Sequence, residues 1–315
     1  MVQRTFVIIA SLMVALCASA ERLPQAGPRR MAYRWTSGEA ARYRLTADLS
    51  GSLPIMQSVE PIDLEATLEL IYKVLPRSVE PQGGATLDFR IEKAEAELAK
   101  IPLPVPFEDA QKVLNRTVVF DSTGAVKEIK AAEPLPFAVT IPGVDPQRLF
   151  TLIYPIVFPD RPIKPGDTWQ YQSELLGSEG TPASFTATVL ESEPVKATGS
   201  RKVAGNAEPP LRVRQEFTMA VDQRLNADKK PAADGEAVRR TRTGKITGVG
   251  VMAFSPARGK LIRGHVTIQA DILERVVGEP EPDEAPEVAS KVKAVVRIAP
   301  VPPPAPEQPV RRKRT

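Results

Sequence analysis

From residue 64 to residue 74 the chain alternates: Leu64, Ala66, Leu68, Leu70, Tyr72 and Val74 fall on one side, Glu65, Thr67, Glu69 and Lys73 on the other. Successive side chains of a strand point to opposite faces, so this is the pattern of a sheet with one dry and one wet face. It returns in the second half, where Leu211, Val213, Phe217, Met219 and Val221 oppose Arg212, Arg214, Glu216, Thr218 and Asp222. A third run places Ile262, Val266, Ile268, Ala270 and Ile272 on one face. Runs this long exceed the usual strand of about five or six residues and favour wide, curved antiparallel sheets. Along residues 85–99 the apolar parity changes at Lys93-Ala94, which predicts a β-bulge.

Composition narrows the choice further. With 32 prolines in 315 residues, about twice average usage, the chain breaks helices too often for a helical bundle or a doubly wound α/β domain. The hydrophobic fraction of 42% is enough for a core and excludes wholesale disorder. The expected fold is mainly β: two related curved antiparallel sheets, half-barrel or sandwich-like, with one or two short helices. Helix is expected over residues 107–115, where Glu108 and Asp109 suit the first turn. A second is expected over residues 147–154, opened by Asp145-Pro146 and stopped by Pro155.

Residues 1–20 combine an early Arg4, an apolar run from Phe6 to Leu16, and the small residues Ala18-Ser19-Ala20. That is the layout of a secretory signal peptide, and its apolar run is shorter than the roughly 20 residues of a spanning helix. The expectation is export to the periplasm or beyond, with no transmembrane span once the signal is removed. Cys17 is the one cysteine, and the bulky Leu16 before it departs from the small residue of bacterial lipoprotein signals, so its lipidation stays open. Cleavage after Ala20 leaves a chain held by packing and not by disulfides. Beyond the signal, residues 21–158 are expected as a first β module and 159–277 as a second, joined by a packed connector rich in proline and apolar residues at 153–162. Residues 278–315 are expected as a proline-rich disordered tail, dispensable for folding, with an apolar stretch at 288–298 as the candidate for an edge strand or helix.

Two pairs of segments suggest an internal repeat. Gly38-Glu39-Ala40-Ala41-Arg42-Tyr43 and Gly166-Asp167-Thr168-Trp169-Gln170-Tyr171 share the form G-[DE]-x-x-x-Y, each opening a strand beside one of the two tryptophans, Trp35 and Trp169. Farther on, Phe120 with Gly124 matches Phe254 with Gly259, each a strand end followed by a glycine turn. With Lys164-Pro165-Gly166-Asp167-Thr168-Trp169, these segments resemble a group of uncharacterised exported bacterial β-rich proteins over residues 33–277. The resemblance implies a β-rich domain of unknown function and supplies no catalytic residues.

Chemistry is sparse. The single histidine, His265, has the parity of the polar face. With no second histidine and no mature cysteine, ordinary zinc, copper and haem sites are unavailable, and no cofactor or metal is expected. No G-x-S-x-G elbow, Walker loop or G-x-G-x-x-G occurs. Acidic residues such as Glu65, Glu69, Glu92, Glu95 and Glu97 are spaced along strand faces as solvated charges, which leaves a glycosidase unsupported. Residues 228–236 carry acids but also Lys229 and Lys230, and read as a hairpin tip and not a calcium loop. Trp35 and Trp169 read as core plugs.

The most informative polar feature is a basic second module. Arg212 and Arg214 on one strand, with Arg240, Arg242 and Lys245 on another, are the candidate face for an anionic partner such as envelope lipid or cell-wall polymer. The basic end of the tail, Arg311 to Arg314, would add to it. Nucleic acid is not expected of an exported chain without exposed stacking aromatics. These readings converge on a non-enzymatic envelope binding or scaffolding protein. The alternatives are a carrier of an apolar ligand such as lipid, in broad design like the half-barrels of bacterial lipoprotein carriers, and a hydrolase using unpaired acids.

Overall fold

The computed structural model describes residues 27–54, 61–103, 107–130, 148, 151–173, 182–191, 209–226, 239–277 and 287–302. They form one large antiparallel sheet, nearly closed into a barrel. Its strands are β1 (Ala41–Pro54), β2 (Pro61–Val79), β3 (Ala85–Leu98), β4 (Ile101–Leu103), β5 (Arg116–Phe120), β6 (Val126–Lys130), β7 (Thr168–Ser173), β8 (Ala183–Leu190), β9 (Leu211–Asn226), β10 (Arg239–Ser255), β11 (Lys260–Val277) and β12 (Glu287–Pro300). Their spatial order is β6-β5-β3-β2-β1-β12-β11-β10-β9-β8-β7, with the short β4 paired to β3. Among the described residues there is one α-helix, α1 (Phe107–Leu114). It takes over beside β3 where β5 stops, since Asn115 Oδ1 accepts the Ile91 amide at 2.8 Å and Gln111 donates to the Ile91 carbonyl. Of the helix expected at 147–154, the described residues show a single tight turn, with the Thr151 hydroxyl donating to the Arg148 carbonyl at 2.6 Å.

The mainly β, antiparallel expectation holds, and the alternating rows face as the sequence indicates. On β2 the inward row Leu70, Tyr72 and Val74 is buried, and on β9 so are Val213, Phe217, Met219 and Val221. The bulge lies one residue from its expected place: Ile71 pairs with Lys93 but Tyr72 with Ile91, so Glu92 is the extra residue. The register shift between Ala253 and Phe254 has no counterpart in the sequence reading. It turns Leu261 inward at 3% exposure and leaves Ile262 outward at 37%, which corrects the inner row read from the sequence.

Two corrections concern the chain's organisation. The two strand runs join into one sheet, and the segment that joins them belongs to the expected disordered tail. β12 lies between β1 and β11, in register from Tyr43↔Pro300 to Ser52↔Lys291 on one side and from Gly264↔Ile298 to Arg275↔Glu287 on the other. Its alternate residues Val288, Ser290, Val292, Ala294, Val296 and Ile298 are all buried. The apolar stretch at 288–298 is thus a strand, as one of its two expected forms, but it is paired on both sides and not at an edge. Residues 303–315, including the basic end, lie outside the described residues.

The paired sequence segments take matching local forms. Glu39 N–H donates to the Thr36 carbonyl and Asp167 N–H to the Lys164 carbonyl, both at 3.1 Å. Gly38 and Gly166 stand third in these turns at φ 78° and 87°, the left-handed conformation that position of a type II turn requires.

Outside, the sheet is laced by cross-strand ion pairs such as Arg42–Glu92, Arg44–Glu69, Lys93–Glu69 and Arg297–Asp48. One carboxylate here is different. The Asp88 side chain is 5% exposed, takes the Thr117 hydroxyl at 2.7 Å and faces Arg77 and Arg90. Burial pushes its carboxyl up, but the Thr117 and Arg77 hydrogen bonds and the two guanidinium charges outweigh that and hold it below the ordinary carboxylate range. A carboxylate depressed in the folded state stabilises above its unfolded value near pH 4 and loses that contribution as pH falls through the folded value. Acid titration of the melting temperature is therefore expected to fall less steeply below about pH 4 in Asp88→Asn than in wild type.

Candidate functional site

The inner face of the curled sheet forms a trough whose two ends differ in chemistry. At one end two segments enter it. Met31, Tyr33 and Trp35 come from the chain before β1, and Leu152, Ile153, Tyr154, Ile156 and Phe158 from the connector between β6 and β7; all are buried. The connector is thus the packed link the sequence indicates, and it acts as a strap. Both tryptophans are 8% exposed and serve as plugs.

A strap inside an apolar core must have its backbone groups satisfied, and side chains of the trough do this. Tyr171 Oη and Gln215 Nε2 both donate to the Pro155 carbonyl, at 2.9 and 2.8 Å, and Gln215 also donates to the Tyr171 oxygen. Trp169 Nε1 donates to the Val157 carbonyl at 2.8 Å, and the Ile156 amide donates to Tyr33 Oη at 3.4 Å. The two glycine hairpins hold the segments from below: Tyr33 N–H donates to Ser122 O, Phe158 N–H to Thr123 O and Arg34 N–H to Gly259 O. Gly124, at φ 95°, admits this close approach, because a Cβ there would overlap the Tyr33 ring. All five tyrosines gather at this end; burial pushes the Tyr43 hydroxyl up to about 12 and those of Tyr33, Tyr72, Tyr154 and Tyr171 upward as well. They are neutral donors and acceptors at ordinary pH.

Away from the strap the trough is aliphatic and small. Continuing along β2, the inward Leu68, Ala66 and Leu64 are half-buried where Leu70 and Tyr72 are each 1% exposed. Leu49 on β1 and Ala94, Ala96 and Leu98 on β3 share that partial exposure. Beside β1, β12 and then β11 continue the inner face with Val292, Ala294, Ile268, Ala270 and Ile272. The floor of this half mixes the alanines Ala66, Ala94, Ala96, Ala270 and Ala294 with larger aliphatic side chains, and its β2 and β3 rows are less covered than those at the strap.

At the far rim the inner row turns polar. Arg242 of β10 and Glu274 of β11 are opposite one another, and Arg242 Nε donates to Glu274 Oε2 at 2.8 Å. Their side chains are 20% and 6% exposed, so the guanidinium faces the mouth and the carboxylate sits behind it. Ser290 of β12, paired with Ile272, is 2% exposed and its hydroxyl has no hydrogen-bond partner.

The five basic residues singled out in the sequence are not gathered on one face. Arg212 and Arg214 are outward on β9, paired with Ala253 and Val251, and Arg214 meets Glu216 at 2.7 Å. Lys245 is exposed and pairs with Ala220, six residues along β9 from Arg214, or about 20 Å at strand rise. Arg240 pairs with Leu225 and Val276 toward the end of β10. Arg242 is on the inner face. His265 is exposed, opposite Arg297 and Val251, as its parity indicates. The hairpin tip at 228–236 lies outside the described residues. Sequence reasoning missed Glu274 and Ser290, although parity carried a signal: Ser290 interrupts the alternate apolar row of β12, and Arg242 shares the parity of Ile246.

Among the described residues no helix is long and apolar enough to cross a membrane, and no cluster of three or more metal-ligating side chains occurs. No family model matches the chain. No curated protein matches it either. Among solved structures it is similar to one of lipovitellin concerned with lipid–protein interactions, at 12% identity and a TM-score of 0.41, over 87% of this chain and 26% of that one. The chain thus spans about a quarter of that protein's length.

Proposed function

We propose that this protein is a non-enzymatic, exported binding protein of the cell envelope that carries an apolar ligand in the aliphatic half of its trough. One observation carries the reading: the inward row of β2 is closed at Leu70, Tyr72 and Val74 but half-open at Leu68, Ala66 and Leu64. Apolar side chains on a concave surface, partly exposed and floored by small residues, are the composition of a ligand site, where a few polar groups at the rim give orientation. The export signal at residues 1–20 supports an envelope setting.

Native mass spectrometry of the protein purified from its own envelope is expected to show a retained lipid-sized mass. In solution, the delipidated protein should take up N-phenylnaphthylamine with a rise in fluorescence. Ala66→Phe, which places a ring over the trough floor, is expected to cut that uptake about fivefold or more while the melting temperature moves little, since a half-buried site tolerates added volume better than a filled core. A wild-type protein with neither retained mass nor uptake would overturn the carrier reading in favour of a scaffold with a filled core.

A further inference from the structure

We propose that Arg242, with Ser290 behind it, receives the anionic headgroup of an amphiphile whose acyl chain lies in the trough; this rests on the trough being the ligand surface. The inner row of β10 runs through Met252, Gly250, Gly248 and Ile246, and then presents an ion pair. Arginine carries five N–H groups in a planar fork. Glu274 engages only the Nε edge of Arg242. The two terminal nitrogens, with four N–H groups, have no hydrogen-bond partner among the described residues. A carboxylate buried behind a guanidinium and bonded at Nε fixes the plane of the fork and leaves its outer edge to an incoming oxyanion, the geometry in which arginine binds carboxylate or phosphate through two parallel hydrogen bonds.

Ser290 is the independent sign of a ligand. Its hydroxyl lies on the inner face one strand from Glu274, diagonal to it across the β11–β12 pairing, and is buried without a partner. A buried hydroxyl left unsatisfied is costly, and such groups in folded proteins ordinarily meet a partner. An oxyanion held by the Arg242 fork would bring an acceptor to it. Gly244, next inward from Arg242 on β10, adds no side chain to the space between them, and a Cβ there would overlap the Asp271 carbonyl oxygen. From this rim Ile272, Val292 and Ala294 lead into the trough, so polar head and apolar tail meet matching surfaces in sequence.

The test uses the full delipidated chain with two fluorescent probes, 11-(dansylamino)undecanoic acid and its methyl ester, which differ only in the charge of the head. Wild type is expected to bind the acid about tenfold or more tighter than the ester, the scale of a charge-assisted hydrogen bond. Arg242→Gln should bring the acid down to the ester's affinity and leave the ester unchanged. Because that change removes the Arg242 charge from beside Glu274, Arg242→Lys is run beside it: it keeps the charge but removes the fork, and should also lose most of the preference. Ser290→Ala should weaken the acid several-fold with no fall in melting temperature, a combination that a merely structural serine would not give. Displacement by lysophosphatidic acid against palmitic acid separates a phosphate from a carboxylate source. Equal binding of acid and ester by wild type would overturn this proposal alone; binding of neither would overturn the trough reading and this proposal with it.

Discussion

A chain ending at Gly278 is expected not to fold. Such a truncation removes β12, the strand paired on both sides that joins the two runs of the sheet. Val288, Val292, Val296 and Ile298 are each 6% exposed or less, and burying an aliphatic side chain of that size is worth roughly 1.5–3 kcal/mol. Together they approach the whole net stability of a typical domain, about 5–15 kcal/mol, before the lost ladder hydrogen bonds are counted. The truncated chain should show no cooperative thermal transition in far-ultraviolet circular dichroism. A chain ending at Pro302, which keeps the whole of β12, should melt like the full protein. Cooperative melting of the shorter chain would mean that β1 and β11 find another arrangement without the central strand.

Tyr33→Ala is expected to be the most damaging single substitution away from β12. The ring is 1% exposed and lies 5.3–5.7 Å from those of Trp35, Tyr154, Phe158 and Phe254, bridging the strap, the segment before β1 and the end of β10. Emptying such a site costs about 3–5 kcal/mol, because rigid aromatic neighbours cannot collapse into the space. Tyr33→Phe removes only the acceptor of the Ile156 amide and should cost about 1 kcal/mol. Urea denaturation of the three proteins measures both differences. A similar loss for the two variants would place the importance of Tyr33 in its hydroxyl and not in its ring.

Periodicity made the strands legible because sheet burial acts residue by residue: one dry face forces the alternation seen on β2 and β9. Local turn chemistry was legible for the same reason, since Gly38 and Gly166 answer to their own backbone. What depends on partners far along the chain was not. The apolar stretch at 288–298 reads as an edge strand or helix at most, and its central place appears only when β1 and β11 are placed beside it. Arg242 reads as one of a basic group until its parity is combined with the register that brings Glu274 opposite. The Ala253/Phe254 shift, which exchanges Leu261 for Ile262 on the inner face, has no marker in composition. The candidate site lies mostly in this second category, whereas the connector at 153–162 announced its burial through its apolar content.

The position of β12 also governs the order of events in folding. Its pairing with β1 joins Tyr43 to Pro300, a contact of very long sequence separation, and chains dominated by such contacts fold slowly because loop entropy is spent before the pairing stabilises anything. Until β12 arrives, β1 and β11 each present an unpaired edge with an apolar inner row, the kind of surface on which strands of other molecules add. Refolding yield should therefore fall steeply with protein concentration. Supply of a synthetic peptide spanning β12 to a chain that lacks it would act as a donor strand, converting a slow intramolecular search into a bimolecular step whose rate can be set by the peptide concentration.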